Sequence, residues 1–315
     1  MSGLLRSMSN DLMISETDLL YLIRSSPYRY KVYKIDKRKG DKKRIIAQPA
    51  REVKALQYWV MKNILSRYSL HSAAMAYRQG KSIADNAQVH AKNRFLLKLD
   101  FKDFFHSITG VDFKAFMVLH SADKFNPDEI DCLARILFWK KKRDGRLILS
   151  IGAPSSPILS NILMYEFDKT MREYCMQKHI RYTRYADDLT FSTNAPSVLD
   201  SVVSQVVKIC QKLEFPRLRL NHDKTVRASK AGCRRVTGLV LSNDATVSIG
   251  RDRKRQLHAA VHHYVCGKLG EEEIASLSGM LAFVRSIDPG FLTALRRHYG
   301  RVNVDRLLKN RSESQ

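Results

Sequence analysis

Two runs of strand-forming residues, 181–185 and 189–192, are separated only by Ala186-Asp187-Asp188. So short a connection predicts a β-hairpin with carboxylates at its tip. Neighbouring side chains on a strand point to opposite faces, so the two carboxylates share one site only if the backbone turns between the strands. Unpaired neighbouring carboxylates repel each other and are better tolerated around a divalent cation. A solvated turn is the plainer reading, since Asp is common in turns.

A third carboxylate closes an apolar run. Residues 94–100 read as a short buried strand that ends at Asp100. Asp100 either caps a following helix or reaches the same cation as the hairpin pair. Around these segments the chain alternates in type. Residues 15–25 predict a helix opened by Ser15 or Thr17. Residues 28–32 and 44–47 predict strands on either side of a basic turn at Gly40. Val53, Leu56, Val60 and Ile64 have helical spacing, which predicts an amphipathic helix over 50–67. Helices are expected over 111–121 and 127–138, and a hairpin turn at Asp144-Gly145 between 141–143 and 147–150. One helix is expected from the Pro-rich turn at 152–157 to about 177, and another over 196–214. Strands over 236–241 and 246–249 flank a turn at 242–244, and the rest is helical from 251. The order is α+β, followed by a helical C-terminal part.

The charge says what such a fold meets. Lys and Arg number 55 against 31 Asp and Glu, a formal net charge of +24. That much like charge repels itself, and a polyanion offsets it, nucleic acid before an anionic membrane surface. No apolar run reaches membrane-spanning length and no signal peptide is expected at the start. Five scattered cysteines without a CxxC fit a reducing cytoplasm and argue against structural zinc. His90 has no partner at ligand spacing, and His262-His263 face different ways on a helix, so none of these reads as a metal ligand.

With these segments in order, the chain resembles the reverse transcriptases, and among them the bacterial retron type. Leu99–Phe105 (LDFKDFF) is similar to polymerase motif A, 151–161 (IGAPSSPILSN) to motif B, Tyr185–Asp188 (YADD) to motif C and 218–225 (LRLNHDKT) to motif D. Val236-Thr237-Gly238-Leu239 resembles the primer grip and carries the retron Val-Thr-Gly element. Asn86-Ala87-Gln88-Val89-His90 resembles the retron Asn-Ala-x-x-His element. The sequence departs from the family at Ile151, where motif B usually has Gln, and at Ala76-Tyr77, where His-Gly-Phe is usual.

The resemblance implies a right-hand polymerase: fingers to about 95, a palm with an antiparallel sheet over 96–240, and a helical, RNA-binding thumb over 241–315. It implies two Mg2+ ions, with Mn2+ as a substitute, held by Asp100, Asp187, Asp188 and the carbonyl of Phe101. Phe105 becomes the steric gate against a 2′-hydroxyl, although Phe104 and Phe105 both suit a core, so one packs and the other gates. Gly152 lets backbone approach a nucleotide. Lys224 protonates or screens pyrophosphate, or is a solvated surface lysine. Arg44, within a stretch (31–53) of nine Lys/Arg against three Asp/Glu, holds the triphosphate. Asn86 and His90, with Arg251, Arg253, Lys254 and Arg255 on the first thumb helix, are expected to contact RNA.

The implied partners are a cognate retron non-coding RNA, its DNA product, dNTPs, an effector toxin restrained in anti-phage defence, and a host RNase H, with no membrane. The implied product is branched multicopy single-stranded DNA primed by a guanosine 2′-hydroxyl. Two alternatives remain: a group II intron-type enzyme, which needs a maturase region for which 315 residues leave no room, and an RNA- and effector-binding scaffold with secondary polymerase activity.

Overall fold

Several helices start where the sequence offers a cap. In the computed structural model, which describes residues 3–36, 43–141 and 145–309, the Ser15 side chain accepts from the Asp18 amide, and Ser82, Thr109 and Asn126 each form a reciprocal capping box. Such a box satisfies two amides that the first turn otherwise leaves unpaired. The elements are α1 (Gly3–Leu12), α2 (Glu16–Ser25), β1 (Tyr30–Asp36), β2 (Lys43–Pro49), α3 (Arg51–Asn63), α4 (Ile83–Ala91), β3 (Phe95–Asp100), α5 (Phe104–Ser107), α6 (Gly110–Ser121), α7 (Pro127–Leu137), β4 (Trp139–Lys140), β5 (Leu147–Ile148), α8 (Ser155–Leu163) and α9 (Tyr165–Gln177). There follow β6 (Arg181–Tyr185), β7 (Asp188–Thr193), α10 (Asp200–Lys212), β8 (Val226–Ser229), β9 (Arg234–Val236), β10 (Leu239–Leu241), β11 (Val247–Ser248), α11 (Arg251–Val265), α12 (Glu271–Ile287), α13 (Pro289–Tyr299) and α14 (Arg301–Lys309). The expected turns at Gly40 and Asp144 lie outside the described residues. Among the described residues no helix is long and apolar enough to cross a membrane.

The chain forms two compact units that interleave in sequence. The first comprises residues 1–81, 97–191 and 196–226. In it β1 and β2 pair antiparallel, from Tyr30 opposite Pro49 to Asp36 opposite Lys43. Strands β6, β7 and β3 lie side by side in that order. The helical spacing read from the sequence is where the core is: Val53, Leu56, Val60 and Ile64 are all buried, as are Val202, Val206 and Ile209 on α10.

Two expectations change here. The single helix expected up to 177 is two helices, α8 and α9, broken at Met164 (φ −87°, ψ 2°). The helix α1 was not anticipated; its Leu4 and Met8 are buried, and the Leu4 amide donates to Glu129.

The second unit comprises residues 82–96, 192–195 and 227–315. Its apolar core draws on α4 (Ala87, Ala91), the short strands (Val236, Leu239, Leu241) and the C-terminal helices (Leu257, Val261, Leu281, Leu295, Leu307). On α11, Leu257 and Val261 are buried, whereas Val265 is exposed. The expected strand over 236–241 is folded back on itself. Thr237 and Gly238 both have positive φ (47° and 82°), so Leu239 pairs with Val236 across a two-residue turn. Positive φ at both central residues is the type I′ requirement, which Gly meets without strain.

Candidate active site

The first unit brings Asp100 and the hairpin carboxylates together through the main chain. Strand β3 delivers Asp100 at its C-terminal end, and the next amide, Phe101, donates to the Asp187 carbonyl at 3.1 Å. On the other side, the Asp100 carbonyl accepts from the Asn221 amide at 2.8 Å, and the Lys102 amide donates to Arg219 at 2.8 Å. Residues 219–221 therefore form a rail beside the end of β3. The β6–β7 connection is the two-residue turn Ala186-Asp187, with Ala186 at φ 57°. A positive φ on a residue with a Cβ is costly and persists only where the surroundings enforce it.

These carboxylates are crowded. Asp100 is buried, at 6% exposure. Burial, then the charges of Asp188 and Asp100, push the Asp187 carboxyl up to about 6. Burial raises Asp188 as well, opposed by Lys98. The Lys224 ammonium donates to both Asp100 oxygens at 2.9 and 2.8 Å. Burial alone would lower the Lys224 pKa; the hydrogen bonds to Asp100 and the surrounding carboxylate charge raise it instead. Lys224 is thus a partner of the acidic cluster, although its side chain is 56% exposed.

Among the described residues no set of three or more His, Cys, Asp or Glu side chains is already drawn together as a metal site. The donor chemistry nevertheless fits a hard divalent cation. Three carboxylates and the Phe101 carbonyl are all oxygen donors, and the raised Asp187 carboxyl reports negative charge that a cation relieves.

Aromatic residues stand beside the acids. Phe104 is buried and stacks on Phe101, with centroids 6.0 Å apart and planes at 15°. Phe105 is half-buried, 6.4 Å from the ring of Tyr77. Of the pair, then, Phe104 is the core residue and Phe105 has the freer face. Tyr77 sits at φ 58°. Its phenol pKa is raised by burial and by Asp187 and Tyr185, against the opposing charge of Arg44. Arg44, exposed on β2, and Tyr77 therefore lie within electrostatic reach of the same site. Gly152 has φ 123°, and a Cβ there would meet the Ala47 carbonyl at 3.1 Å; the Ile151 carbonyl accepts from the Ala47 amide. The close approach Gly152 allows is to strand β2, which fixes the motif B loop on the β1–β2 hairpin.

The remaining expected site residues belong to the second unit. Asn86 and His90 are fully buried, and His90 Nδ1 and Ser192 Oγ are hydrogen-bonded at 2.7 Å. This corrects the expected RNA contact: both side chains are enclosed, and His90 ties α4 to the end of β7. On α11, Arg251, Arg253 and Arg255 are exposed, and Arg255 pairs with Asp252 at 2.6 Å. Lys254 is half-buried, pairs with Asp288 at 2.7 Å and lies over the Phe291 ring, so it serves its own unit first.

Beneath the β6–β7 hairpin is a cluster that sequence reasoning missed. Arg184 is completely buried; its Nε and Nη2 donate to the Asp168 carboxylate, and its Nη1 to Asn161 Oδ1 and the Ala186 carbonyl, both at 3.1 Å. One signal was available: a charged residue in mid-strand, two positions from Tyr182 and hence on its face, is a buried ion pair waiting for a partner.

Comparison with known proteins agrees with this geometry. Residues 35–245 match the family described as "Reverse transcriptase (RNA-dependent DNA polymerase)". The chain is 40% identical to the Retron Ec83 reverse transcriptase of Escherichia coli, covering 93% of this chain and 94% of that one. It is 34% identical to the Retron Ec86 reverse transcriptase of the same organism, over 94% and 91% of the two chains. The Retron Mx162 reverse transcriptase of Myxococcus xanthus is 36% identical, over 82% of this chain and 58% of its own.

Proposed function

The chain belongs to the retron reverse transcriptases, right-hand RNA-directed DNA polymerases of α+β fold, and from that premise we propose that it copies a cognate structured non-coding RNA into branched multicopy single-stranded DNA, primed by a guanosine 2′-hydroxyl. The observation that carries the site assignment is the convergence of Asp100 with Asp187 and Asp188, fixed by the Phe101 amide on the Asp187 carbonyl.

In this reading Asp100, Asp187, Asp188 and the Phe101 carbonyl would hold two Mg2+ ions, or Mn2+ in their place. Bound divalent ions lower the pKa of the attacking hydroxyl and stabilise the leaving pyrophosphate. The protein's own groups orient the reactants. Arg44 holds the triphosphate, because a forked guanidinium pairs with phosphate oxygens. Phe105 closes the space next to the sugar C2′, with Tyr77 beside its ring. Lys224 exchanges its bond with Asp100 for the pyrophosphate, as proton donor or counter-charge. Gly152 acts indirectly, through the β1–β2 hairpin against which it packs.

Fingers to about 95, palm over 96–240 and thumb over 241–315 remain the proposed functional partition. The net charge of +24 and the exposed arginines of α11 suit a phosphate-rich partner. Cytoplasmic location, trimming of the template by a host RNase H, and anti-phage defence with a restrained effector complete the proposal; all three follow from the family resemblance.

The test is the double variant Asp187→Asn, Asp188→Asn, assayed with co-expressed RNA and labelled dNTPs. DNA synthesis is expected to vanish while RNA retention in a gel shift stays near wild type, because distributed basic contacts hold the RNA. Synthesis near the wild-type rate refutes the site assignment.

A further inference from the structure

The Arg184 guanidinium is completely buried, and each of its three nitrogens donates to a protein acceptor. Both residues of the Arg184–Asp168 pair have fully buried side chains, 2.6 Å apart. Asp168 also accepts from the Tyr182 hydroxyl at 2.7 Å. The remaining arm, Nη1, reaches Asn161 Oδ1 and the carbonyl of Ala186. That carbonyl belongs to the residue with positive φ that immediately precedes Asp187.

The partners are gathered from four segments. Asp168 comes from α9 and Asn161 from α8. Seven residues apart on one straight helix they would be separated by about 10 Å along the axis. The break at Met164 lets both meet one guanidinium. Asn161 Nδ2 in turn donates to the Ala76 carbonyl at 2.9 Å. The Arg184 main chain donates to Ala73 and accepts from Met75, both at 2.8 Å. Residues 73–76 lead directly into Tyr77.

We infer that Arg184 is a positioning residue for catalysis: its fork, anchored on Asp168 and Asn161, holds the Ala186 carbonyl so that the strained turn presents the Asp187 carboxylate to the metal ions. The inference rests on the reading of Asp100, Asp187 and Asp188 as the metal-binding triad. Stability alone gives a poorer account of the group. A buried ion pair is often no more stabilising than apolar residues of similar volume, and an Asp–Arg pair by itself needs no third arm on the catalytic turn. The planar fork is the feature only arginine supplies. Lysine can keep the Asp168 pair but has no rigid arm for Asn161 and Ala186 together.

Two variants test this. Arg184→Met alone strands the Asp168 charge, so the first variant is Arg184→Met with Asp168→Leu and Tyr182→Phe, which removes the whole polar set. The second is Arg184→Lys. For each, the thermal midpoint, Mn2+ binding by electron paramagnetic resonance, and kcat and KM for dNTP on the co-purified RNA are measured. The Mn2+ sites counted are those that Asp187→Asn abolishes. The expected result is a midpoint close to wild type for at least one variant, with Mn2+ affinity and kcat both reduced tenfold or more.

A folded variant with wild-type Mn2+ affinity and kcat overturns the inference and leaves Arg184 as packing. If the triple variant does not fold, Arg184→Lys decides by the same two readouts; a failure of both to fold also overturns it, since the cluster is then needed for folding itself. Persistent synthesis by Asp187→Asn is a different failure, which removes the triad reading and the inference with it.

Discussion

Replacing Asp187 by Asn is expected to stabilise the metal-free protein while cutting synthesis to a small residual rate. The magnitude follows from the crowding of the site. Burial and the neighbouring carboxylates raise the Asp187 carboxyl from 3.8 to about 6. At about 1.4 kcal/mol per unit, ionising it in the folded chain costs roughly 3 kcal/mol more than in the unfolded chain. The folded state holds its proton more tightly than the unfolded state. The penalty is therefore absent below about pH 4, grows as pH rises, and is complete above about pH 6. Asn is close to the neutral carboxyl in shape and carries no charge to desolvate. The measurement is urea unfolding of both proteins in EDTA at pH 5 and pH 8. The variant should gain roughly 3 kcal/mol at pH 8 and about half that at pH 5. Adding Mg2+ should narrow the pH 8 difference by stabilising only the wild type. A difference that is absent, or the same at both pH values, refutes the claim that charge crowding at Asp187 sets its energetics.

Three further outcomes are expected. Phe105→Val should relax sugar selection: single-nucleotide incorporation should show a ratio of rNTP to dNTP use raised tenfold or more, and an unchanged ratio in an active enzyme would make Phe105 a packing residue. Arg253→Ala and Lys254→Ala should separate two roles on α11. The exposed arginine is expected to weaken RNA binding and flatten its salt dependence without moving the thermal midpoint, whereas Lys254→Ala deprives Asp288 of its partner and should lower the midpoint by a few degrees. Exchanging residues 240–315 for those of a distant retron enzyme should transfer RNA preference, read as DNA made from each of two RNAs at physiological salt; an active chimera that still prefers the original RNA would place recognition outside the thumb.

What was legible in the sequence was periodic or carried a carboxylate. The apolar spacing from Val53 to Ile64 located a buried helix face, and Tyr185–Asp188 located a hairpin, because each pattern depends on neighbours within one element. Elsewhere, residue type was a weaker guide than environment. Asn86 and His90 are polar, four apart and fully buried, and nothing local distinguishes a polar pair facing a core from one facing RNA. Lys254 is one of four basic residues in five, and its commitment to Asp288 depends on α13 being folded beside it. The turn at Thr237-Gly238 was missed for another reason. Its flanks, Val236 and Leu239, are both strand formers, so the positive φ of Thr237 is imposed by the pairing of β9 with β10 and not advertised by the residue.

The same reasoning explains why the Ala186-Asp187 turn needs so large a polar support. Asp187 ionises at a cost, and Ala186 holds a backbone conformation that alanine does not favour. Left to local preference, the turn would relax and the carboxylates would move apart. Two independent constraints oppose that. On one side the Phe101 amide holds the Asp187 carbonyl; on the other Arg184 holds the Ala186 carbonyl. Either alone leaves the turn free to pivot, whereas together they fix consecutive carbonyls on a two-residue loop. Arg184→Lys and Asp187→Asn should therefore be strongly non-additive in kcat. Once the carboxylate is gone, its exact placement no longer matters, and the Lys substitution should add little to the loss. A coupling energy near zero in the double-mutant cycle, with both single losses large, would mean that Arg184 serves catalysis through some route other than Asp187.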